Sequence, residues 1–261
     1  MKRLYSNGLS YLQFEDGTFD GVVHGFFTRQ GGVSPNPWTS LNLATTVGDS
    51  RENVIENRKR IFDSVSRSVD TLFDVWQVHS TDVICTDKCR ELNEPHQKAD
   101  AIFTDLPEIT LLMRFADCVP IILYDERKHV VGIVHAGWQG TVNGIVRRAV
   151  ETIQKRYHVN ASDLVAGIGP SIGPDHYAVG KNVYEAAKTE FGEERERLFH
   201  RDNGSMFFNL WLANGFLLEK SGVTNIHYSN ICTACHLEDW YSHRAEQGKT
   251  GRFGAVIALK E

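Results

Sequence analysis

The sequence predicts an α+β fold in which several consecutive strands are packed by helices, and two observations predict it. Eight short, β-branched segments bounded by Gly, Pro or Asp lie among only four helical patterns. Three of those segments, 110–115, 119–124 and 130–135, follow one another too closely for crossover helices; such tight connections favour antiparallel pairing over a doubly wound parallel sheet.

Along the chain, the first of these strands is 22–27. A helix follows over 51–66, where Val54, Ile55, Ile61, Phe62 and Val65 share one face after an Asp49–Ser50 start, with Glu52 as a partial cap. Strands at 82–86 and the three close segments precede a second helix, 142–157, whose Val142, Ile145, Val146, Ala149, Val150, Ile153 and Tyr157 form an apolar stripe. Strand 164–168 leads to a helix over 181–191, and Glu193–Arg197 reads as its solvated end. The last helix runs from Asn209 to about Ser221 and stops at Gly222, before strands 226–230 and 254–259.

The 261 residues are 41% hydrophobic and 23% charged, which excludes a mainly disordered chain. No linker, low-complexity tract or internal repeat interrupts them, so a single domain over 1–261 is expected. With 28 basic against 33 acidic residues, the electrostatic footprint of a nucleic-acid binder is missing. No apolar run approaches the roughly 18 residues of a membrane span, and the N-terminal MKRLYSNGLSYLQFEDG lacks the apolar core of a secretory signal. A cytoplasmic protein is therefore expected. Its five cysteines, 85, 89, 118, 232 and 235, do not suggest a disulfide framework.

Three segments combine a ligand-type residue with glycines and strand ends: Trp76–Ser80 around His79, Ala116–Pro120 around Cys118, and Val134–Gly140 around His135. Taken singly, each ligand reads equally well as an ordinary core or surface residue. Their shared placement on short loops raises the joint reading: three dispersed ligands with an open fourth position form a catalytic zinc pattern, unlike the paired knuckles of structural sites. Cys232-Thr233-Ala234-Cys235-His236 carries a CxxC, but with no second CxxC and no thioredoxin-like βαβ context it reads as a loop at a strand end. Cys85 and Cys89 flank a polar, exposed turn. Phe26–Ser34 runs a strand into Arg29, two glycines and Ser34, a guanidinium and amides suited to an anion, or else a plain turn with one exposed Arg. The loop 167–174 has neither a Walker lysine nor a GxGxxG beat, and its glycines permit close backbone packing beside a site.

In order along nearly the whole chain stand HGFFTRQGGVS (24–34), SLNLA (40–44), QVHS (77–80), ADA (99–101), ADCVPI (116–121), VHAGWQG (134–140), GIGPSIGP (167–174) and KTGRFGAVIAL (249–259). Together they resemble the family once named multicopper polyphenol oxidase or laccase-like, now described as purine nucleoside phosphorylases and in bacteria also as peptidoglycan editing factors. The resemblance implies mixed, largely antiparallel sheets packed between helices, similar to the catalytic domain of the cytotoxic necrotizing factor toxins. It implies one metal site at His79, Cys118 and His135, with zinc favoured over copper because mixed N/S ligation suits it. It also implies phosphorolysis of adenosine, inosine and methylthioadenosine, with deamination of adenosine. This sequence departs from the family pattern at Ser171, Asp175 and His176, where many relatives carry further cysteines. It departs again in YSHRAEQGKTGR, where Arg244 is the counterpart of a YRR-like run.

Phosphorolysis needs a phosphate site, for which Arg29 with the amides near Ser34, and then Arg244, are the candidates. Deamination needs an acid/base, yet neither ligand His is followed by the Glu of an HxE motif; Asp117 is the nearest acid. A multicopper oxidase would need HxH pairs, which the chain lacks. A Cys118 hydrolase with a His base, and a hydrolase of peptidoglycan precursors using the same site, are the other readings.

Overall fold

In the computed structural model, which describes residues 1–15 and 17–260, the chain opens with a hairpin of β1 (Lys2–Ser6) and β2 (Leu9–Gln13). Its two-residue turn is Asn7-Gly8, both at positive φ (50° and 80°), as Asn-Gly hairpin turns require. Next come β3 (Val22–Phe27) and α1 (Arg51–Ser64), whose Ser50 side chain accepts from the Asn53 N–H. The short β4 (Leu72–Phe73) and β5 (Val83–Cys85) lead to β6 (Ala101–Thr104), β7 (Thr110–Phe115), β8 (Val119–Asp125) and β9 (Val130–Ala136). The expected helix from Val142 to Tyr157 is two: α2 (Trp138–Val142) and α3 (Ile145–Tyr157) part at Gly144, which takes φ 80°. After β10 (Val165–Ile168), β11 (Ala178–Val179) and α4 (Lys181–Phe191), a second Asn-Gly hairpin joins β12 (Phe199–Asp202) to β13 (Ser205–Phe208) through Asn203-Gly204. The chain closes with α5 (Leu210–Lys220), β14 (Asn225–Tyr228) and β15 (Phe253–Leu259).

Two six-stranded sheets result, in the orders β1-β2-β3-β15-β7-β4 and β14-β10-β8-β9-β6-β5, with a three-stranded sheet β11-β13-β12 beside them. Pairing is largely antiparallel; β4–β7, β5–β6 and β10–β14 are the parallel pairs. One expectation is corrected. The segments 110–115 and 119–124 do not pair; β7 belongs to the first sheet and β8 to the second, while only β8 and β9 form the expected antiparallel pair. The three residues between β7 and β8 carry the chain from one sheet to the other, with Asp117 at φ 82°.

Side-chain alternation explains how the layers stack. In β8 and β9, Ile122, Val131 and Ile133 pack with Leu111, Met113, Ala255 and Ile257 of the first sheet, so the two sheets bury their facing sides against each other. The opposite faces, with Val119, Ile121, Leu123 and Val134, meet Ile145, Ala149 and Ile153 of α3 and Leu217 of α5. The outer face of the first sheet, at Leu112 and Val256, is covered by Ile61 and Phe62 of α1. β8, β9 and β15 are therefore buried on both sides and read as unbroken apolar runs. Among the described residues no helix is long and apolar enough to cross a membrane.

Candidate metal centre

The antiparallel register places Val119, at the start of β8, opposite Ala136, at the end of β9, and Phe115, at the end of β7, opposite Phe253, at the start of β15. Cys118 and His135 thus come to the same edge of the two sheets. His79 reaches it on the passage from β4 to β5, held at φ 61°. One ligand atom from each of His79, Cys118 and His135 lies within 4.8 Å of the others. Cys118 Sγ is 3.8 Å from His79 Nε2, and the two imidazole centroids are 4.9 Å apart at 72°. His135 is buried, Cys118 half-buried and His79 exposed, so the group opens to solvent on one side.

Asp100, fully buried, organises this group; the ADA motif (99–101) contains it, but sequence reasoning assigns it no role. Its Oδ1 accepts from the His79 backbone N–H at 3.0 Å and pairs with His135 Nδ1 at 2.8 Å. Its Oδ2 accepts from the N–H groups of Val78 (3.2 Å) and Ser80 (2.6 Å) and from the Ser80 hydroxyl (3.0 Å). Burial pushes the Asp100 carboxyl up, but the bond and charge of His135 and the Ser80 donors outweigh it and hold it below its ordinary value. With Nδ1 committed to Asp100, Nε2 is the His135 nitrogen left to take a cation. Burial likewise pushes the Cys118 thiol up, yet His135 and His79 bring it down to about 6. Burial lowers His135, which the Cys118 charge and Asp100 raise to about 9.

These donors fit a metal on steric grounds as well. A Cβ on Gly137 would stand 2.8 Å from Cys118 Sγ and 2.9 Å from His79 Cδ2, so only glycine leaves the ligands their present positions. Two imidazoles and one thiolate are the mixed donor set that zinc accepts.

The group borders a cavity of about 570 Å³, also lined by Trp76, Gln77, His96, Trp138 and Tyr177 and by four arginines, Arg58, Arg114, Arg244 and Arg252. Asp117 is the one acid among the described lining residues. Behind the wall, fully buried Asp74 meets Arg90 (2.6 Å), Arg58 (3.3 Å), His96 (3.1 Å) and Arg114 (3.5 Å). Three guanidiniums on one carboxylate leave excess positive charge facing the cavity. Burial lowers Arg58 to about 10 in spite of Asp74, and its Nε is buried without a hydrogen-bond partner. Burial lowers Arg252 as well, and Cys118 and Asp117 pull the other way.

Asp117 serves as a tether. Its Oδ1 accepts from the Thr233 hydroxyl at 2.7 Å and its Oδ2 from the Arg244 N–H at 2.6 Å, tying the cysteine loop to the 231–244 loop. Arg244, a phosphate candidate from the sequence, stacks over Tyr177 (5.0 Å), donates to the Ala178 carbonyl (2.7 Å) and lines the cavity. Arg29 and Ser34 are not brought there. Arg29 pairs with Glu246 at 3.0 Å, donates to the carbonyls of Thr39 and Leu237, and lies over the Tyr241 ring. Ser34 donates to Asp49 at 2.6 Å, and the amides of Gly32, Val33 and Ser34 are bonded to Ser40 Oγ, Asn57 Oδ1 and the Ser40 carbonyl. The expected anion loop is therefore a folded strut, and the cavity's cations are instead Arg58, Arg114 and Arg252, which sequence reasoning missed. Cys85 and Cys89, expected in an exposed turn, are half-buried.

Fold and site together define a class: an α/β/β/α sandwich with a His/Cys/His candidate metal centre beside an arginine-rich cavity. The profile of the multi-copper polyphenol oxidoreductase laccase family matches residues 23–260, and the chain belongs to that family. It is 34% identical over 252 residues to "Purine nucleoside phosphorylase YlmD" of Geobacillus stearothermophilus, covering 93% of this chain and 92% of that one. It is 36% identical to "Purine nucleoside phosphorylase" of Deinococcus radiodurans, covering 91% and 89%. The crystal structure of YlmD from G. stearothermophilus superimposes with a TM-score of 0.93 at 32% identity, covering 99% of this chain and 98% of that one. The Bacillus licheniformis hypothetical protein YfiH superimposes at 0.91 with 31% identity, again covering 99% and 98%.

Proposed function

We propose that residues 1–261 form one cytoplasmic, metal-dependent catalytic domain that cleaves purine nucleosides with phosphate, releasing free base and ribose 1-phosphate. The observation that carries this reading is the joining of the His79–Cys118–His135 group and four arginines, against a single acid, in one cavity. Its volume of about 570 Å³ falls within the roughly 300–1,000 Å³ usual for small-molecule sites. Zinc held by His79, Cys118 and His135 supplies Lewis acidity at this position.

The chain's own groups have separable tasks. Arg252, Arg114 and Arg58 attract the phosphate dianion and orient it by charge-assisted hydrogen bonds. Trp76, Trp138 and Tyr177 offer aromatic faces for the purine. Asp100 keeps the His135 proton on Nδ1, and Asp117 holds Arg244 at the wall. Adenosine deamination is a side activity in this reading, with adenosine, inosine and methylthioadenosine as substrates. A second reading, a metal-free hydrolase with Cys118 as nucleophile, draws on the 3.8 Å approach of Cys118 Sγ to His79 Nε2.

The test is free-base release from inosine, with and without phosphate, by wild-type protein and His79→Ala. Phosphate-dependent hypoxanthine that vanishes in the variant supports the reading. No release from metal-loaded protein refutes it and leaves hydrolysis of peptidoglycan precursors as the reading to pursue. Activity that survives metal removal but not Cys118→Ala supports the metal-free hydrolase.

A further inference from the structure

A second group of potential ligands lies on the far side of Asp117. His176, Cys232 and Cys235 each place one donor atom within 4.8 Å of the others. His176 Nδ1 is 3.8 Å from Cys232 Sγ and 3.6 Å from Cys235 Sγ. A tetrahedral zinc with Zn–S of about 2.3 Å and Zn–N of about 2.1 Å sets the S···N edge near 3.6 Å, so the spacing matches a coordination polyhedron. The CxxC, which reads from sequence as an ordinary loop, is thus joined in space by a third ligand from a different loop.

The surrounding backbone is shaped to present these atoms. Ser171 and Cys232 form a parallel bridge, with the Ser171 N–H on the Ile231 carbonyl (3.1 Å) and the Thr233 N–H on the Ser171 carbonyl (3.1 Å). The Gly173 N–H donates to Cys232 Sγ at 3.1 Å, fixing where this sulfur points. A Cβ on Gly173 would sit 3.1 Å from the same sulfur and from Cys232 Cβ, so this glycine, like Gly137 at the other group, keeps room for the ligand. Asp175 Oδ1, 3.7 Å from His176 Nδ1, is within reach of a fourth position.

We infer that His176, Cys232 and Cys235 form a second metal site, taking zinc or another thiophilic divalent cation. Its two thiolates and one imidazole would leave a neutral centre, each thiol releasing its proton to solvent on binding. The cation would clamp the 171–177 loop to the 231–235 loop. Tyr177, the last residue of the first loop, and Arg244, further along the chain from the second, line the cavity, and Thr233, between the cysteines, is bonded to Asp117. The site is structural: it holds the cavity wall from outside.

The test is metal stoichiometry on the full chain, loaded with zinc, desalted and analysed by elemental mass spectrometry. Two zinc ions per wild-type chain are expected, one in His79→Ala, one in Cys235→Ser and none in the double variant. Hydrogen exchange over 171–177 and 231–235 should rise in Cys235→Ser and not in His79→Ala. Retention of the remaining zinc in Cys235→Ser shows that this variant folds, and His176→Ala provides an independent loss of the same ion. One zinc in wild type with none in His79→Ala overturns the inference. So does a Cys232–Cys235 disulfide located by peptide mapping of freshly isolated protein, since it would stand in place of the ligand pair.

Discussion

Asp100→Asn tests how the His79–Cys118–His135 group is held together. The amide keeps one oxygen, which best serves the Oδ2 side, where Val78, Ser80 N–H and Ser80 hydroxyl converge. The NH₂ then faces two donors, the His79 N–H at 3.0 Å and His135 Nδ1 at 2.8 Å. The backbone bond is lost outright, and a hydrogen bond to a charged group contributes about 1.5–3 kcal/mol, which is the expected loss in stability of the metal-free protein. His135 has an escape: its proton moves to Nε2 so that Nδ1 can accept from the amide. That tautomer puts hydrogen where the cation must bind. Zinc affinity should therefore fall by about 10- to 100-fold, the range typical when a ligand's supporting carboxylate is removed. Competition against a chromogenic chelator at neutral pH measures the affinity, and chemical denaturation of the metal-free protein measures the stability. Affinity within about threefold of wild type, an effect worth under 1 kcal/mol, would refute the claim that Asp100 sets the ligand tautomer.

Gly137→Ala should weaken zinc binding at least about 10-fold while leaving the fold intact, because the new methyl meets Cys118 Sγ and His79 first; the same chelator competition checks it. Asp74→Asn should cost about 3–5 kcal/mol at pH 7, since Arg58, Arg90 and Arg114 lose their buried counter-charge. Burial opposes ionisation of Asp74, but His96 and the arginines hold its carboxyl well below the ordinary range. Its contribution is therefore present above the unfolded carboxyl value near 4 and lost as pH falls, so urea melts should show the wild-type advantage shrinking by about 1 kcal/mol between pH 5 and pH 3. An advantage that grows on acidification would reverse the sign and exclude the ion cluster as its cause. If phosphate is the co-substrate, Arg252→Gln should raise the phosphate KM about 10-fold or more with little change in the nucleoside KM; initial rates over a phosphate series read both.

What was legible in the sequence follows from which patterns are local. The strands buried on both faces announce themselves as apolar runs, and α3 by its stripe. The hairpins β1–β2 and β12–β13 were missed because Lys2–Ser6 and Phe199–Asp202 are polar and mostly exposed. Their signal lay in the turns Asn7-Gly8 and Asn203-Gly204, which demand positive φ at both positions. The family motifs singled out His79, Cys118 and His135, and the fold brings them together. The arginine cluster was invisible, because Arg58, Arg90 and Arg114 come from unrelated segments and converge only through Asp74. Arg29 misled for the opposite reason. Its glycines imitate an anion loop, whereas a Cβ at Gly31 would strike the Gly8 carbonyl at 2.3 Å and one at Gly32 the Ser40 carbonyl at 2.1 Å. They are glycines so that backbones can touch.

His79 and Cys118 both sit where the chain leaves the first sheet for the second, after β4 and after β7, and the return from β14 to β15 carries Cys232, Cys235 and Arg244. The second sheet gathers what these crossings deliver: the pairing of Val119 with Ala136 sets Cys118 beside His135, and Asp100, just before β6, bonds both His135 and the His79 N–H. A cation on the three ligands would pin the two crossings from the first sheet onto the edge of the second, resisting any opening that lifts those crossings away while adding little against fraying at β1. Its occupancy should govern how slowly the crossings come loose more than how fast either sheet forms.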